Sequence, residues 1–188
     1  AGNDLNTGKQ EMGSAHDGTQ NAALVFGGDN PTPGYLQQTE SYDGTSWAEV
    51  ADLLVSHSVP GGLGTQTAAM CVSGLSSTPT QQEVESWDGT SWTEVNNVLT
   101  FRFGGNATGT TTAALIAGGT TQTPGGNTRL DLTEIWNGTS WTETADLQGP
   151  ATYGGSVGTS TSALQFAGQI AGGSLTSDKT ESWNGTSW

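Results

Sequence analysis

Short apolar runs that end in glycine recur along the chain, separated by polar stretches rich in Ser and Thr. Residues 22–28 read AALVFGG and residues 113–119 read AALIAGG. Runs of this length that are closed by glycines predict buried strands, because helices need longer periodic segments. No apolar run approaches the ~20 residues of a membrane-spanning helix, so we expect no membrane insertion.

A second, polar and aromatic phrase predicts a hairpin. It occurs four times, as ESYDGTSW at 40–47, ESWDGTSW at 85–92, EIWNGTSW at 134–141 and ESWNGTSW at 181–188. Asp-Gly and Asn-Gly favour two-residue hairpin turns, since both residues tolerate positive φ. Asn137 and Asn184 also match a glycosylation sequon, but Asp43 and Asp88 stand at the same place, which favours the turn.

These phrases define a tandem repeat. The last Trp of the hairpin phrase falls at 47, 92, 141 and 188, and a Gly-Thr phrase starts at 18, 64, 109 and 158. We call the segments that end at these four Trp residues units 1 to 4. Each unit predicts four strands: a short glycine-led inner strand, the apolar strand, and the two strands of the hairpin. The spacing indicates one repetitive domain over 1–188.

The glycine pair after the apolar strand, the aromatic before the turn and the Trp after it resemble the kelch repeat. The resemblance covers the whole chain and implies an all-β, kelch-like β-propeller of the galactose-oxidase-like superfamily, with four four-stranded blades. The near-identical phrases are closest in style to arrays in bacteriophage tail fibres and surface proteins. Asp4-Leu5 matches Asp52-Leu53, so we expect the N-terminal strand to complete the last blade. The alternative is a segment of a longer array.

Charge and cysteine content narrow the function. The chain has 18 acidic and 4 basic residues and a net charge of −14. This argues against a nucleic-acid partner, which requires a basic surface. Cys71 is the single cysteine, so no intrachain disulfide is expected, and its apolar neighbours predict a small buried thiol.

Candidate binding residues come from the variable segments. In a propeller, the loop between the second and third strands and the connection to the next blade lie on one face. Here both vary in length and content, whereas the two hairpin turns are nearly constant. The candidate ligand-binding residues in these variable segments are Lys9, Tyr35, His57, Phe101, Arg102, Phe103, Arg129, Tyr153 and Lys179. Aromatic and basic side chains together suit a glycan or an acidic polysaccharide; the alternative is that these loops simply tolerate substitution. On the surface interpretation, Arg102→Ala should change stability by roughly ±0.5 kcal/mol or less.

The repeated aromatic and acidic residues are interpreted as scaffold. Blade-to-blade packing is the expected role of the seven Trp residues, namely Trp47, Trp87, Trp92, Trp136, Trp141, Trp183 and Trp188. Glu40, Glu85, Glu134 and Glu181 occupy equivalent positions, whereas a two-carboxylate glycosidase needs two unique acids. With two histidines and no motif for phosphate or zinc, we expect no catalytic residues, no metal and no cofactor.

The sequence therefore favours a non-enzymatic binding or adhesion module of a virion, such as a phage tail fibre, or of a cell surface. Its expected partners are a host cell-surface glycan or receptor and other virion or appendage subunits. A structural spacer or assembly scaffold is the main alternative, and a galactose-oxidase-like enzyme fragment is a third.

Overall fold

The computed structural model describes residues 3–32, 34–78, 81–123, 126–170 and 176–188. These residues form short antiparallel strands and contain no helix, so the predicted all-β class is confirmed. Residues 1–2 of the N-terminal segment and residues 33, 79–80, 124–125 and 171–175 of the variable loops lie outside the described residues.

Each unit forms one main sheet, and strands are numbered here in chain order. Sheet 1 contains β1 (Gly13–Ser14), β2 (Ala23–Phe26), β5 (Thr39–Tyr42) and β6 (Trp47–Glu49). Sheet 2 contains β8 (Gly61–Thr65), β9 (Ala68–Val72), β11 (Val84–Trp87) and β12 (Trp92–Val95). Sheet 3 contains β13 (Asn106–Thr110), β14 (Ala113–Ala117), β17 (Thr133–Trp136) and β18 (Trp141–Glu143). Sheet 4 contains β19 (Gly155–Thr159), β20 (Ser162–Phe166) and β21 (Thr180–Trp183).

The variable loops carry small two-stranded sheets, and pairing also joins loops to connections. One sheet does so in unit 2, and the bridges Gln10–Asp29, Phe103–Thr120 and Thr152–Gln169 do so in units 1, 3 and 4. The two-stranded sheets pair β3 (Asp29–Asn30) with β4 (Gly34–Tyr35), β7 (His57–Ser58) with β10 (Leu75–Ser76), and β15 (Thr120–Thr123) with β16 (Gly126–Arg129). Strand β7 belongs to the connection before sheet 2, whereas β10 belongs to the loop that follows β9. The variable loops and the connections therefore share one side of the molecule, which we call the loop side.

The conserved turn of the hairpin is held by its first side chain. Asp88 Oδ1 accepts hydrogen bonds from the backbone N–H of Thr90 and Ser91 at 2.8 and 2.9 Å. These bonds, from Ser91 first and then Thr90, lower the pKa of Asp88. Asn137 Oδ1 accepts the equivalent pair of bonds, so a turn is confirmed at this position. Its type differs from the expected two-residue Asn-Gly turn, because residues 137–140 separate the paired Trp136 and Trp141, and Gly138 has a positive φ of 91° whereas Asn137 does not.

Tryptophan packs each sheet onto the one before it. The Trp92 indole donates to Thr39 Oγ1 at 2.9 Å and its ring meets Phe26 edge-on, with centroids 4.9 Å apart. Trp141 likewise donates to the Asn96 carbonyl of sheet 2 at 3.1 Å. As expected of core residues, the buried members are Trp87, Trp92, Trp136, Trp141 and Trp183; Trp47 and Trp188 are half-buried.

The outer face of sheet 4 remains uncovered in the described structure. Val157, Leu164 and Phe166 are 49%, 42% and 39% exposed. Leu164 has the register of Met70, and Phe166 that of Val72, and both of those residues are fully buried between sheets 2 and 3.

The predicted completion of the last sheet by the N-terminal segment is wrong for the described residues. Strand β21 pairs only with β20, and sheet 4 has three strands. The reason is register: Asp4 matches Asp52, which lies beyond the end of β6 at Glu49. Residues that match Asp52 therefore belong to a connection and not to an outer strand.

Candidate functional site

Three polar candidate binding residues lie inside the protein, and a fourth candidate, Phe103, is buried as well. Lys9, His57 and Arg102 occupy the same register, in the connections that lead into sheets 1, 2 and 3. Their side chains are 0% exposed, and each faces the repeated glutamate of its sheet. Their assignment to a binding surface is corrected accordingly. In unit 4 the same register holds Ala151.

Arg102 is bound on every side. Its guanidinium donates to the carbonyl oxygens of Gly118 and Leu132 at 3.0 and 2.7 Å, and to Glu134 Oε1. Burial lowers the pKa of Arg102, and the nearby Glu134 carboxylate opposes that effect. Glu134 in turn accepts the backbone N–H groups of Leu99 and Thr100 at 2.7 and 3.1 Å.

Lys9 makes a simpler version of this arrangement. Its ammonium lies 3.2 Å from Glu40 Oε1 and 3.2 Å from the carbonyl oxygen of Gln38. The backbone N–H groups of Asn6 and Thr7 donate to the two carboxylate oxygens. Burial alone would raise the pKa of Glu40, but these bonds and Lys9 outweigh it, and the pKa is lowered.

His57 does not form an ion pair of the same quality. Its Nε2 is 3.9 Å from Glu85 Oε1, and neither ring nitrogen has a hydrogen-bond partner. Burial lowers the pKa of His57 to about 4, against a partial opposing effect of Glu83. Burial also raises the pKa of Glu85, although Leu54 and Val55 donate backbone N–H groups to its carboxylate. The neutral imidazole is therefore the form present at pH 7.

Unit 4 has a cavity where the other units have a basic side chain. The cavity has a volume of about 250 Å³, and the residues that line it are Gly149, Pro150, Ala151, Gln165, Ala167, Ile170, Ser177, Lys179 and Glu181. Glu181 accepts one hydrogen bond, from the backbone N–H of Gln148 to Oε2 at 2.8 Å. Gln165 is 3% exposed, and neither atom of its amide has a partner among the described residues.

A second feature of the loop side is a row of three aromatic rings next to Arg129. We call Phe101, Phe103 and Tyr153 the aromatic row. The ring centroids of Phe101 and Phe103 are 6.1 Å apart, and those of Phe103 and Tyr153 are 6.4 Å apart. Phe103 is buried, Phe101 is half-buried and Tyr153 is 48% exposed. Arg129 donates to Gln169 Oε1 at 2.9 Å. Burial raises the pKa of Tyr153, and the charge of Arg129 partly opposes that effect.

The two remaining candidates lie apart from this row. Tyr35 is 42% exposed at the end of β4, in the loop of unit 1. Lys179 is exposed and borders the cavity of unit 4. The structure thus brings Phe101, Phe103, Arg129 and Tyr153 together and leaves Tyr35 and Lys179 separate.

The cavity and its Gln165 were not found from the sequence. The available signal was the register of the connections, where Lys, His and Arg in three units are replaced by Ala151 in the fourth. That register is visible only when the positions before the inner strands are aligned, because the connections differ in composition.

The remaining reactive groups of the described residues are buried or isolated. Cys71 is buried as a free thiol, as predicted, and burial raises its pKa well above the usual range. Within those residues, no group of three or more His, Cys, Asp or Glu side chains could hold a metal ion. Likewise, none of the described segments forms a helix of the length and apolarity that crossing a membrane would require.

Comparison with known proteins identifies similarity of fold. No protein-family model matches the chain, and no curated protein matches it in sequence. Among solved structures it is similar to YjhT, with a TM-score of 0.77 and 15% sequence identity over 96% of this chain and 70% of that chain. At this identity the likeness concerns the fold alone.

Proposed function

We propose that the four main sheets are blades of a kelch-like β-propeller. The order inner, apolar, third and outer strand in sheets 1 to 3 supports this, as does the successive packing of β1, β8, β13 and β19 against one another. The glycine-led inner strands permit that close approach: a Cβ on Gly62 would lie 2.5 Å from the Ser14 carbonyl oxygen. The similarity in fold to YjhT is compatible with the proposal.

On this scaffold we propose a non-enzymatic binding or adhesion function, directed at surface glycans. The observation that carries it is the aromatic row on the loop side. Tyr153 offers an exposed ring for stacking on a sugar, and the positive charge of the nearby Arg129 would favour an acidic sugar. The constant turns on the opposite side keep the scaffold rigid, while the loops vary, which is the usual division between scaffold and binding site.

We propose an extracellular or virion location, because a module of this kind meets surface glycans there. A net charge of −14 favours solubility and disfavours nucleic-acid binding. In such a location the partners would be a host cell-surface glycan or receptor and other subunits of the virion or appendage.

The test is binding to a panel of immobilised glycans that contains uronic-acid oligosaccharides and their neutral counterparts. We expect binding that weakens about tenfold, or 1.4 kcal/mol, in Tyr153→Ala. Arg129→Ala should reduce the preference for the acidic member of each pair. Thr161→Ala is the matched control, because Thr161 is exposed in the turn on the opposite side. Absence of binding to every glycan, or equal loss in the control, would refute the proposal.

The structural alternative rests on the uncovered face of sheet 4. Val157, Leu164 and Phe166 form an exposed apolar surface that another subunit could cover. A spacer or scaffold would use this surface for assembly and would need no glycan. Sedimentation of the wild type and of Phe166→Ser distinguishes the two: self-association that the substitution abolishes, without glycan binding, favours the scaffold.

A further inference from the structure

The fourth unit preserves the acceptors of a cation site but has no basic residue in the register of Lys9, His57 and Arg102. In sheet 3, the guanidinium of Arg102 is held by Glu134 and by the carbonyl oxygens of Gly118 and Leu132. In unit 4 the register of Arg102 is occupied by Ala151. A methyl group reaches none of the acceptors that a guanidinium reaches.

The acceptors themselves remain. Glu181 stands in the register of Glu134, and the Ala167 and Lys179 carbonyls stand in those of Gly118 and Leu132. The backbone hydrogen bonds of the two units are equivalent at this place, because Ala167 N donates to Lys179 O at 2.9 Å and Gly118 N donates to Leu132 O at 3.0 Å. Ala167, Lys179 and Glu181 all border the cavity.

The space that a guanidinium needs is also preserved. In unit 3 the Arg102 side chain runs past two glycines, and a Cβ on Gly105 or Gly119 would lie 3.2 or 3.1 Å from it. The matching positions in unit 4 are again glycine, at Gly154 and Gly168.

A buried amide adds a polar group that the other units lack. Gln165 lines the cavity and is 3% exposed, yet its Oε1 and Nε2 have no partner among the described residues. Its register is apolar in the other units, where Val25, Cys71 and Ile116 stand. A buried amide costs free energy unless its polar atoms are paired, so Gln165 adds hydrogen-bonding capacity to the cavity that no described residue uses.

We propose that this cavity binds a guanidinium group carried by a small organic ligand. The ligand's N–H groups would donate to Glu181 Oε1, to the carbonyl oxygens of Ala167 and Lys179, and to Gln165 Oε1. The alkyl part would lie against Pro150 and Ile170, which supply the apolar part of the wall. The site does not depend on the proposed glycan function, because it lacks an exposed aromatic ring.

The test uses n-butylguanidinium as the probe and follows the Gln165 side-chain amide signals by NMR. We expect saturable shifts with a dissociation constant on the order of 1 mM, the range for a ligand of this size. Neutral n-butylurea has a similar shape without the charge and should bind at least tenfold more weakly. Tetramethylammonium has the charge without N–H donors and should produce no saturable shift.

Two variants locate the site. Ala151→Arg should fill the cavity as Arg102 does in unit 3, abolish probe binding and raise the melting temperature. Glu181→Gln should weaken binding about tenfold while leaving the fold intact, since Glu181 is half-buried. No saturable shift, or binding unchanged in Ala151→Arg, would overturn the proposal. Glycan binding should survive Ala151→Arg, so failure of either proposal is separable from failure of the other.

Discussion

Replacement of Arg102 by Ala tests the buried ion pair directly. The substitution removes the cation that faces Glu134 and opens the space now filled by the side chain. Glu134 is fully buried and keeps only the backbone N–H groups of Leu99 and Thr100 as donors. Its negative charge would then stand in the interior without a counter-ion.

Removal of one partner from a buried ion pair costs roughly 3–5 kcal/mol, because the remaining charge stays desolvated. Arg102 falls in this class: its side chain is 0% exposed and also satisfies two carbonyl oxygens. The tolerance of Ala151 in unit 4 does not contradict this magnitude, since Glu181 is half-buried and accessible to water. The surface interpretation of Arg102 instead predicts a change of roughly 0.5 kcal/mol or less.

Urea denaturation of the wild type, Arg102→Ala, Glu134→Ala and the double variant measures the effect. The double variant should lose less stability than the sum of the single variants, because it leaves no unpaired charge. Lys179→Ala is the control, as Lys179 is exposed, and it should stay within roughly 0.5 kcal/mol of wild type. A loss below about 1 kcal/mol in Arg102→Ala would refute the argument from burial.

Three further predictions concern the scaffold. Trp141→Ala should cost ~3–5 kcal/mol in chemical unfolding and half-buried Trp47→Ala clearly less; equal costs would contradict the inter-sheet role. The pKa of His57 is about 4 in the folded state against 6.5 ordinarily, so acidification protonates the unfolded state first and stability falls between these values. The fall amounts to about 3 kcal/mol at most, and pH-dependent melting of His57→Gln should lack this component. Asp88→Asn should change the melting temperature little, whereas Asp88→Ala loses two turn hydrogen bonds and should lower it.

The repeated phrases predicted the local structure well because their chemistry is local. An Asn137-Gly138 pair specifies its turn through a side chain that bonds residues two and three positions ahead and a glycine at φ 91°. Such relations require no knowledge of distant contacts.

The variable connections misled the sequence interpretation because their partners are distant. Lys9 and Arg102 differ in chemistry and sit in segments of different composition, so they suggested a tolerant surface. Their glutamates lie 31 and 32 residues further along the chain. The internal pairing is visible only once the sheets place those carboxylates beside the connections.

Position in the array, more than residue type, determines what each repeated side chain does. Leu24, Met70 and Leu115 are at most 1% exposed, whereas Leu164 in the same register is 42% exposed. The first three are covered by the following sheet, and the structure places no described sheet on the fourth. The repeated glutamates follow the same rule. Glu134 is fully buried and is paired with Arg102, whereas Glu181 is half-buried and accessible to water, so it can remain without a cation. A residue that departs from the repeat therefore indicates a function only if the position of its sheet at the end of the array does not already explain the difference. Ala151 and Gln165 still differ from the repeat on that criterion, because both line the cavity on the side of sheet 4 that faces sheet 3.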